Sequence, residues 1–523
     1  MDTGEPPFRK SGRTNRKNTQ LDADFRHLFS ISFENAMKIN RIASRLIVMA
    51  CVAILCGTRI ASAQAANTQP NIVILLADDL GWKDVSYHGA PFDTPNIDQL
   101  VADGVELNQF YTCPVCSPTR AGLMTGRWPI RFGLMRSVIP PWRDFGLSTH
   151  ERTLAEALAE QGYKSRAIIG KWHLGHRRPK WLPLNQGFMH FYGHYNGALD
   201  YFTHVREGEI DWHRNGATIN EQGYTTELLA EEAVRFIKTS AKQDAPFFLY
   251  VPFNAPHGPL QPPRGSLDDF QDIKHRKRRK LAAMTVALDN AVGEIVAAID
   301  QAGATENTIV WFFSDNGGHL PASSNEPLRG HKAQVYEGGV RVPAVVKWPG
   351  VLPAGTRCDQ VTGYIDVMPT LCAIAGGEPQ TVNKSPVTVL PPGAFDGMNI
   401  LPAIREGNPL PPRTWYHFIS QNGDPSEQVA VLEDGWKLVI TGGNLLDPAQ
   451  ADRRKLELFH LAKDPLEEHN LLETHPERVK RLSELAVAFR KLQPERHLPR
   501  YGAGRKGFVA PEDWKIRGAK NHP

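Results

Sequence analysis

Two short segments each end in a pair of hard oxygen donors. Asp78 and Asp79 close PNIVILLADDLGW (70–82), and Asp315 and Asn316 close NTIVWFFSDNGG (307–318). Three carboxylates and an amide suit Ca2+, or less readily Mg2+, and with no imidazole or thiolate among them they suit Zn2+ poorly. A lone Asp-Asp pair does no more than cap a turn or helix; two pairs at the ends of apolar runs point to a metal site. Cationic and imidazole groups recur in similar settings: Lys171 and His173 in GKWHLG, His257 in NAPHGP, and Lys332 in LRGHKAQVYEGG. Singly, each reads as a surface or internally satisfied side chain. Together they make a positively charged site suited to a tetrahedral oxyanion such as phosphate or sulfate.

TCPVCSPTRAGLMTGR (112–127) adds Cys113 and Cys116 in C-x-x-C spacing, and its second cysteine opens C-x-P-x-R, closed by Arg120. C-x-x-C alone allows a redox pair or half a zinc site. The surroundings disfavour both: a thioredoxin-like unit carries no carboxylate pairs elsewhere, and Cys358 and Cys372 are too far apart to form a matching half. Arg120 either caps the helix that AGLMTGR begins or joins the cationic set.

The elements that must present these residues follow from periodicity. Pro70–Trp82 reads as a buried central strand delivering carboxylates to its C-terminal edge. TPNIDQLVADGVELNQFY reads as a capped helix and a strand. TLAEALAEQGYKSRAIIGKWHLG reads as helix, turn and strand Ser165–Ile169, and a second helix leads to strand Phe247–Phe253, which ends near His257. The fold class is therefore α/β, a large, mostly parallel sheet sandwiched by helices, with ligands expected at the strand C-termini. After about residue 405, short antiparallel strands and HPERVKRLSELAVAFRKL suggest a smaller α+β domain. The expected division is 68–404 and 405–499, joined through the Pro/Gly-rich stretch 375–398, with a basic, loop-rich tail over 500–523.

The N-terminus reads as a leader. A cationic segment from Met37, the apolar LIVMACVAILC (46–56) and ASAQA (61–65) together match a secretory signal over 37–65, with 1–36 a disordered or non-native extension and Met37 the true start. Export to a periplasmic or extracellular compartment, or a lysosomal type in a eukaryote, is expected, without stable membrane insertion afterwards. Removing residues 1–65 leaves 50 Lys+Arg against 51 Asp+Glu, so the formal charge of +4 becomes −1 and gives no case for nucleic-acid binding. Cys51 and Cys56 leave with the signal; the remaining four cysteines are no disulfide scaffold. One basic run remains, Lys274–Lys280, before a helix with Leu281, Met284, Leu288, Val292, Ile295 and Ile299 at helical spacing. It reads as a solvated helix start or as a patch for a polyanion.

CSPTRAGLMTGR (116–127) resembles the signature of the type I, formylglycine-dependent sulfatases, C-x-P-x-R followed by T-G-R. ADDLGW, GKWHLG, SDNGG, LRGHK and YEGG resemble that family in the same order, as do DVMPTLCAIAG (366–376), DGMNILP (396–402) and ELFHLAKDPLEEHNL (457–471). The likeness spans about 70–475 and is nearest to the arylsulfatase B (N-acetylgalactosamine-4-sulfatase) branch; Thr119 departs from the serine of many members. The resemblance implies an alkaline-phosphatase-like fold. It also implies that a formylglycine-generating or other sulfatase-maturing enzyme converts Cys116 to formylglycine (3-oxoalanine), whose hydrate is the nucleophile. By the same resemblance Asp78, Asp79, Asp315 and Asn316, with residue 116, hold Ca2+, and Arg120 stabilises the hydrate. Lys171 and Lys332 bind sulfate, His257 or Lys332 protonates the leaving alcohol, and His173 deprotonates the second hydroxyl. The implied substrate is a sulfated saccharide. A loop, HYNGALDYFTH (194–204), offers His194, Asp200 and Tyr201 as substrate contacts. The competing readings are a phosphodiesterase or phosphonate hydrolase of the same superfamily, and a non-catalytic binder of sulfated glycans.

Overall fold

The computed structural model describes residues 69–376 and 394–514, which belong to one compact unit beginning at Gln69. The expected leader, Cys51, Cys56 and most of the Pro/Gly-rich stretch lie outside the described residues. At the centre is β1 (Asn71–Ala77), buried along its whole length. Both of its faces are apolar because both are covered: Ile72, Ile74 and Leu76 enter one core, and Val73, Leu75 and Ala77 the other. Such burial removes about 1.5–3 kcal/mol of unfavourable exposure per large side chain.

The sheet around β1 has ten strands. Numbered along the chain, they are β2 (Val105–Leu107), β3 (Ser165–Lys171), β4 (His190–His194), β5 (His213–Arg214), β6 (Ala217–Thr218), β7 (Phe247–Pro252), β8 (Thr308–Ser314), β9 (Ala344–Lys347) and β10 (Thr356–Cys358). Their order across the sheet is β10-β2-β9-β8-β1-β7-β3-β4-β5-β6. The central run from β8 to β4 is parallel throughout, and antiparallel pairs flank it on both sides. One face is covered by the helix Pro95–Asp103, together with two longer helices, Thr225–Ser240 and Arg276–Gln301. The other face is covered by three shorter helices, Cys116–Thr125, Leu154–Glu160 and Val367–Ile374.

Register brings the chemistry together. Ala77 pairs with Ser314, so Asp78 and Asp315 leave the sheet side by side, and the Asp315 amide donates to Ala77 O at 3.0 Å. Strand β7 ends at Pro252, with Leu76 as neighbour, and leads to His257. Strand β3 runs two residues past the expected end, because Gly170 and Lys171 still pair with Gly193 and His194. A Cβ on Gly170 would lie 2.1 Å from Pro252 O, so only glycine lets these strands approach.

The C-terminal part forms a four-stranded antiparallel sheet, Thr414–Ile419, Gln428–Glu433, Trp436–Thr441 and Lys455–His460, backed by the helix Pro476–Arg490. Its core includes Trp415, Val431 and Phe489, and it continues into Tyr111, Cys113 and Val115, the residues that lead to Cys116. A buried ion cluster ties the same parts together. Lys437 Nζ lies 2.7 Å from Glu337 Oε1 and 2.9 Å from Glu467 Oε1, and Tyr111 donates to Glu337 Oε2 at 2.8 Å. Beyond that helix the chain turns back as an irregular strap: the Leu498 amide donates to Gly133 O and the Tyr501 amide to Gln421 O, each at 2.8 Å.

The helix Arg276–Gln301 is long and apolar enough to cross a membrane, the one such helix among the described residues, but Leu288, Val292 and Ile295 are spent on the internal core. The basic run begins it. Arg278 pairs with Asp84 and Lys280 donates to Leu260 O at 3.1 Å, while Lys274, Arg276 and Lys277 are exposed.

Candidate active site

Cys116 is the first residue of its helix, whose ten residues are all buried. Gly126 ends it in the left-handed region at φ 64°, its amide donating to Gly122 O at 2.8 Å. Pro118 is compatible with the first turn, where an amide proton has no helical acceptor. Thr119 fixes the approach: its Oγ1 accepts from the Cys113 amide at 3.0 Å. Ser117 accepts from the Ile139 amide at 3.1 Å and donates to His173 O at 2.9 Å, joining the helix start to the His173 loop. Ser117 and Thr119 thus each hold the start of this helix in place.

Sγ of Cys116 lies 3.5 Å from Asp78 Oδ1 and 3.6 Å from Lys332 Nζ. Burial, reinforced by the Asp315 charge, raises this thiol far above its ordinary range despite Lys171 and Lys332. As a thiol it stays protonated at neutral pH. Cys113 is a different case: its Sγ donates to Tyr364 Oη at 3.1 Å, and burial pushes it up to about 12. The four cysteines of the described residues are all unpaired and buried, so Cys113 and Cys116 form no disulfide, and neither do Cys358 and Cys372.

Cations and carboxylates alternate around Cys116. Arg120 donates to Asp315 Oδ2 from Nε (3.0 Å) and from a terminal nitrogen (2.7 Å), and to Lys171 O at 2.9 Å. It lies 3.7 Å from Asp78, so it belongs to the charged set and does not cap its helix. Lys171 pairs with Asp78, and Lys332 with Asp79. Burial alone would raise Asp79, but Lys332 and His257 outweigh it and hold that carboxyl well below the usual range. Asp315 is pushed up to about 6 by burial and by Asp78, with Arg120 opposing. Two site residues that are not glycines, Asp79 and His173, hold positive φ, 65° and 58°.

Both candidate proton carriers are neutral at rest. Burial, then Lys171 and Arg120, drive His173 well below the ordinary histidine range. Its Nε2 lies 3.1 Å from Ile139 O, which assigns the proton to Nε2 and leaves Nδ1 with a lone pair and no partner among the described residues. His257 is lowered to about 3 by burial and Lys332, against the pull of Asp79 at 3.6 Å.

The donor set fits a hard divalent cation. Asp78, Asp79 and Asp315 are 0%, 5% and 0% exposed, a density of buried carboxylate that invites one. Asn316 donates from Nδ2 to Asp79 Oδ1 at 2.8 Å, and its buried Oδ1 has no partner among the described residues. Ligand atoms of Asp78, Asp79, Cys116 and His257 also lie within 4.8 Å of one another.

Cys116 opens into a cavity of about 360 Å3, whose walls include His173, His257 and Lys332. The expected substrate contacts do not line it. His194 is buried, hydrogen-bonded through Nδ1 to Asn196 O at 2.8 Å. Asp200 accepts the amides of Phe202 and Thr203 and the Gln261 side chain, and so braces its own turn. Tyr201 Oη sits 2.7 Å from both Asn254 O and His257 O, where it supports the His257 loop from behind. Gly197 and Ala198 of the same loop face the cavity, joined by Arg206, Gln421 and Tyr501. A Cβ on Gly197 would lie 2.5 Å from the His173 ring, so the glycine lets the loop lie against that imidazole. Sequence reasoning picked out the 194–204 loop but named none of these five residues. Only Gly197 carried a local signal, a glycine amid aromatic and polar neighbours.

A family model described as Sulfatase matches residues 70–377. Arylsulfatase J of Mus musculus is 32% identical over 480 residues, covering 83% of this chain and 78% of the relative. N-acetylgalactosamine-6-sulfatase of Homo sapiens is 32% identical, covering 77% and 81%. Among solved structures, Ps i-CgsB in complex with k-i-k-neocarrahexaose is 30% identical with a TM-score of 0.73, covering 82% of this chain and 94% of that one. PsFucS1 sulfatase from Pseudoalteromonas sp. is 26% identical with a TM-score of 0.67, covering 84% and 94%. A family match that runs from the first site strand through the Lys332 loop accounts for the anion-binding chemistry assembled there: the chain belongs to the sulfatase family and is a sulfuric ester hydrolase.

Proposed function

We propose that this chain is an exported, Ca2+-dependent hydrolase of sulfated carbohydrate whose nucleophile is formylglycine made from Cys116. The observation that carries the reading is the place of Cys116: a buried, protonated thiol, 3.5 Å from Asp78 and 3.6 Å from Lys332, at the head of a C-x-P-x-R segment. A thiol so raised is a poor nucleophile, whereas an aldehyde hydrate at the same position is held among metal ligands and cations. Converted, residue 116 supplies two geminal hydroxyls, one to attack sulfur and one to provide the exit. Asp78, Asp79, Asp315 and Asn316 would hold Ca2+, which supplies Lewis-acid polarisation of a sulfate oxygen.

The remaining roles fall to side chains already in position. Lys171 and Lys332 offset the charge of the sulfate as the S–O bond to the alcohol breaks. Arg120, fixed to Asp315, steadies residue 116 from the helix side. Asp315, held by two hydrogen bonds from Arg120, is placed to accept the nucleophile's proton. His257 is neutral at rest, and the incoming anion favours its protonated form, so substrate binding arms it, with Lys332 beside it, to protonate the leaving alcohol. Nδ1 of His173 then takes the proton from the remaining hydroxyl, which releases sulfate and restores the aldehyde.

A sulfatase-maturing enzyme is the required partner, and the leader of 37–65 takes the protein to a periplasmic, extracellular or lysosomal-type compartment. The sulfated carbohydrate is supported by cavity size, by a relative named N-acetylgalactosamine-6-sulfatase and by a similar structure in complex with k-i-k-neocarrahexaose. A panel of defined sulfated saccharides beside an aryl phosphate diester tests the reading. Sulfate release from at least one saccharide, with diester turnover far slower, is expected; diester preference would move the chain to the phosphodiesterase or phosphonate hydrolase reading.

A further inference from the structure

A cavity of about 360 Å3 is several times what a sulfate group fills, so most of its wall must meet the organic part of the substrate. Two wall groups are chemically unfinished. Arg206 has a buried Nε with no acceptor among the described residues; its terminal nitrogen lies 3.6 Å from Glu207, and its side chain is 24% exposed. Gln421 has a buried Oε1 with no donor among the described residues. A planar guanidinium with an open donor suits a carboxylate or sulfate, and an open amide oxygen suits a sugar hydroxyl.

Arg206 lies on a two-residue strand, Val205–Arg206, paired with Glu209–Ile210, too short to hold its own position. The end of the C-terminal strap holds it. Trp514 donates from Nε1 to Arg206 O at 3.1 Å, and the Asp513 amide donates to Glu209 Oε2 at 2.8 Å. Trp514 is 2% exposed and packs edge-on to His176, with ring centroids 5.2 Å apart. Asp513 and Trp514 both adopt positive φ, 48° and 51°, a strained form for a residue as bulky as tryptophan and one that tertiary contacts must impose. Upstream, the same strap places Tyr501 in the cavity wall and accepts the Trp142 indole N–H on Tyr501 O at 3.1 Å.

We propose that Arg206 reads a second oxyanion on the substrate, a carboxylate or a further sulfate beside the one that is cleaved, and that the strap ending at Trp514 is its positioning element. This inference rests on the sulfatase reading above. The substrate class thereby narrows to saccharides with at least two anionic groups close together.

The test uses full-length, matured protein and three matched disaccharides: one sulfate with no other charge, one sulfate plus a uronate, and two sulfates. The quantity read is kcat/KM for each dianionic substrate divided by that for the singly charged one. Wild type should favour one of the dianionic pair, and which one tells carboxylate from sulfate. Arg206→Gln should lower that ratio about tenfold or more, mainly through KM, and Arg206→Lys should restore part of it. Trp514→Ala, remote from the cavity, should lower the same ratio in the same way. A ratio near one in wild type, or one that Arg206→Gln leaves in place, overturns the inference while sulfate release from the singly charged substrate keeps the sulfatase reading. No release from any of the three, with the aldehyde present, overturns both.

Discussion

The two cysteines of C-P-V-C are three positions apart and chemically unrelated. Cys116 faces Asp78 and Lys332, whereas Cys113 is turned into the core against Tyr364. Cys116→Ala should therefore cut turnover of an aryl sulfate by about a thousandfold or more, as loss of a nucleophile does. Cys113→Ala should retain most of the turnover while losing about 1–2 kcal/mol of stability for a small buried group. Kinetics beside denaturant unfolding separate the two effects; equal loss of activity in both variants would mean that the pair works as a unit. The carboxylate pairs and the motif cysteine, which the fold does bring together, could be singled out because each is local in sequence. The substrate contacts could not. His194, Asp200 and Tyr201 have the right side chains for a pocket, but His194 and Tyr201 turn inward onto backbone carbonyls and Asp200 braces its own turn, which leaves Gly197 and Ala198 at the surface of the cavity.

Strands were the most legible elements, since a parallel strand covered on both faces must be apolar throughout and must stop where polar residues begin. That is why Asp78 and Asp315 could be placed at a sheet edge from sequence. Loops after those strands are held by buried groups that carry no such pattern. His176, in the loop following Lys171 and His173, is one: Nε2 bonds to Pro141 O at 3.0 Å, and burial lowers it to about 4. An unfolded histidine takes up a proton near pH 6.5, so this group's contribution to stability is full above that pH and is lost as pH falls towards about 4. Between pH 7.5 and 4.5 it should cost about 2–3 kcal/mol. His176→Gln, which keeps a hydrogen-bond donor, should flatten the acid slope of urea-unfolding free energies by that amount; an unchanged slope would show that His176 is not neutral in the fold.

At the scale of the whole molecule, the catalytic edge is held from two sides. The C-terminal sheet shares its core with the segment leading to Cys116, and Lys437 binds Glu337 and Glu467 beneath the Lys332 loop. The strap after residue 495 then closes part of the cavity wall with Tyr501. Sequence patterning showed the antiparallel strands but not this closure, because the strap has no period and is fixed by single contacts of Trp142, Tyr501 and Trp514. The proposed metal site belongs to this scale as well, since a ligand set shared by two strand ends would couple an ion to folding. Chelation should abolish sulfate release and lower the unfolding temperature; Ca2+ at a hundred times its dissociation constant should restore activity and return about 2.7 kcal/mol. Recovery with Zn2+ alone would contradict the hard-oxygen assignment.

The central claim is that the working enzyme carries an aldehyde at position 116. Mass spectrometry of the Cys116 peptide, from protein made with and without a sulfatase-maturing enzyme, tests it most directly when read beside sulfate release from the same samples. The account predicts that specific activity rises in proportion to the fraction carrying formylglycine and vanishes in protein that carries only the thiol. Full activity in a sample whose Cys116 is entirely thiol would contradict it.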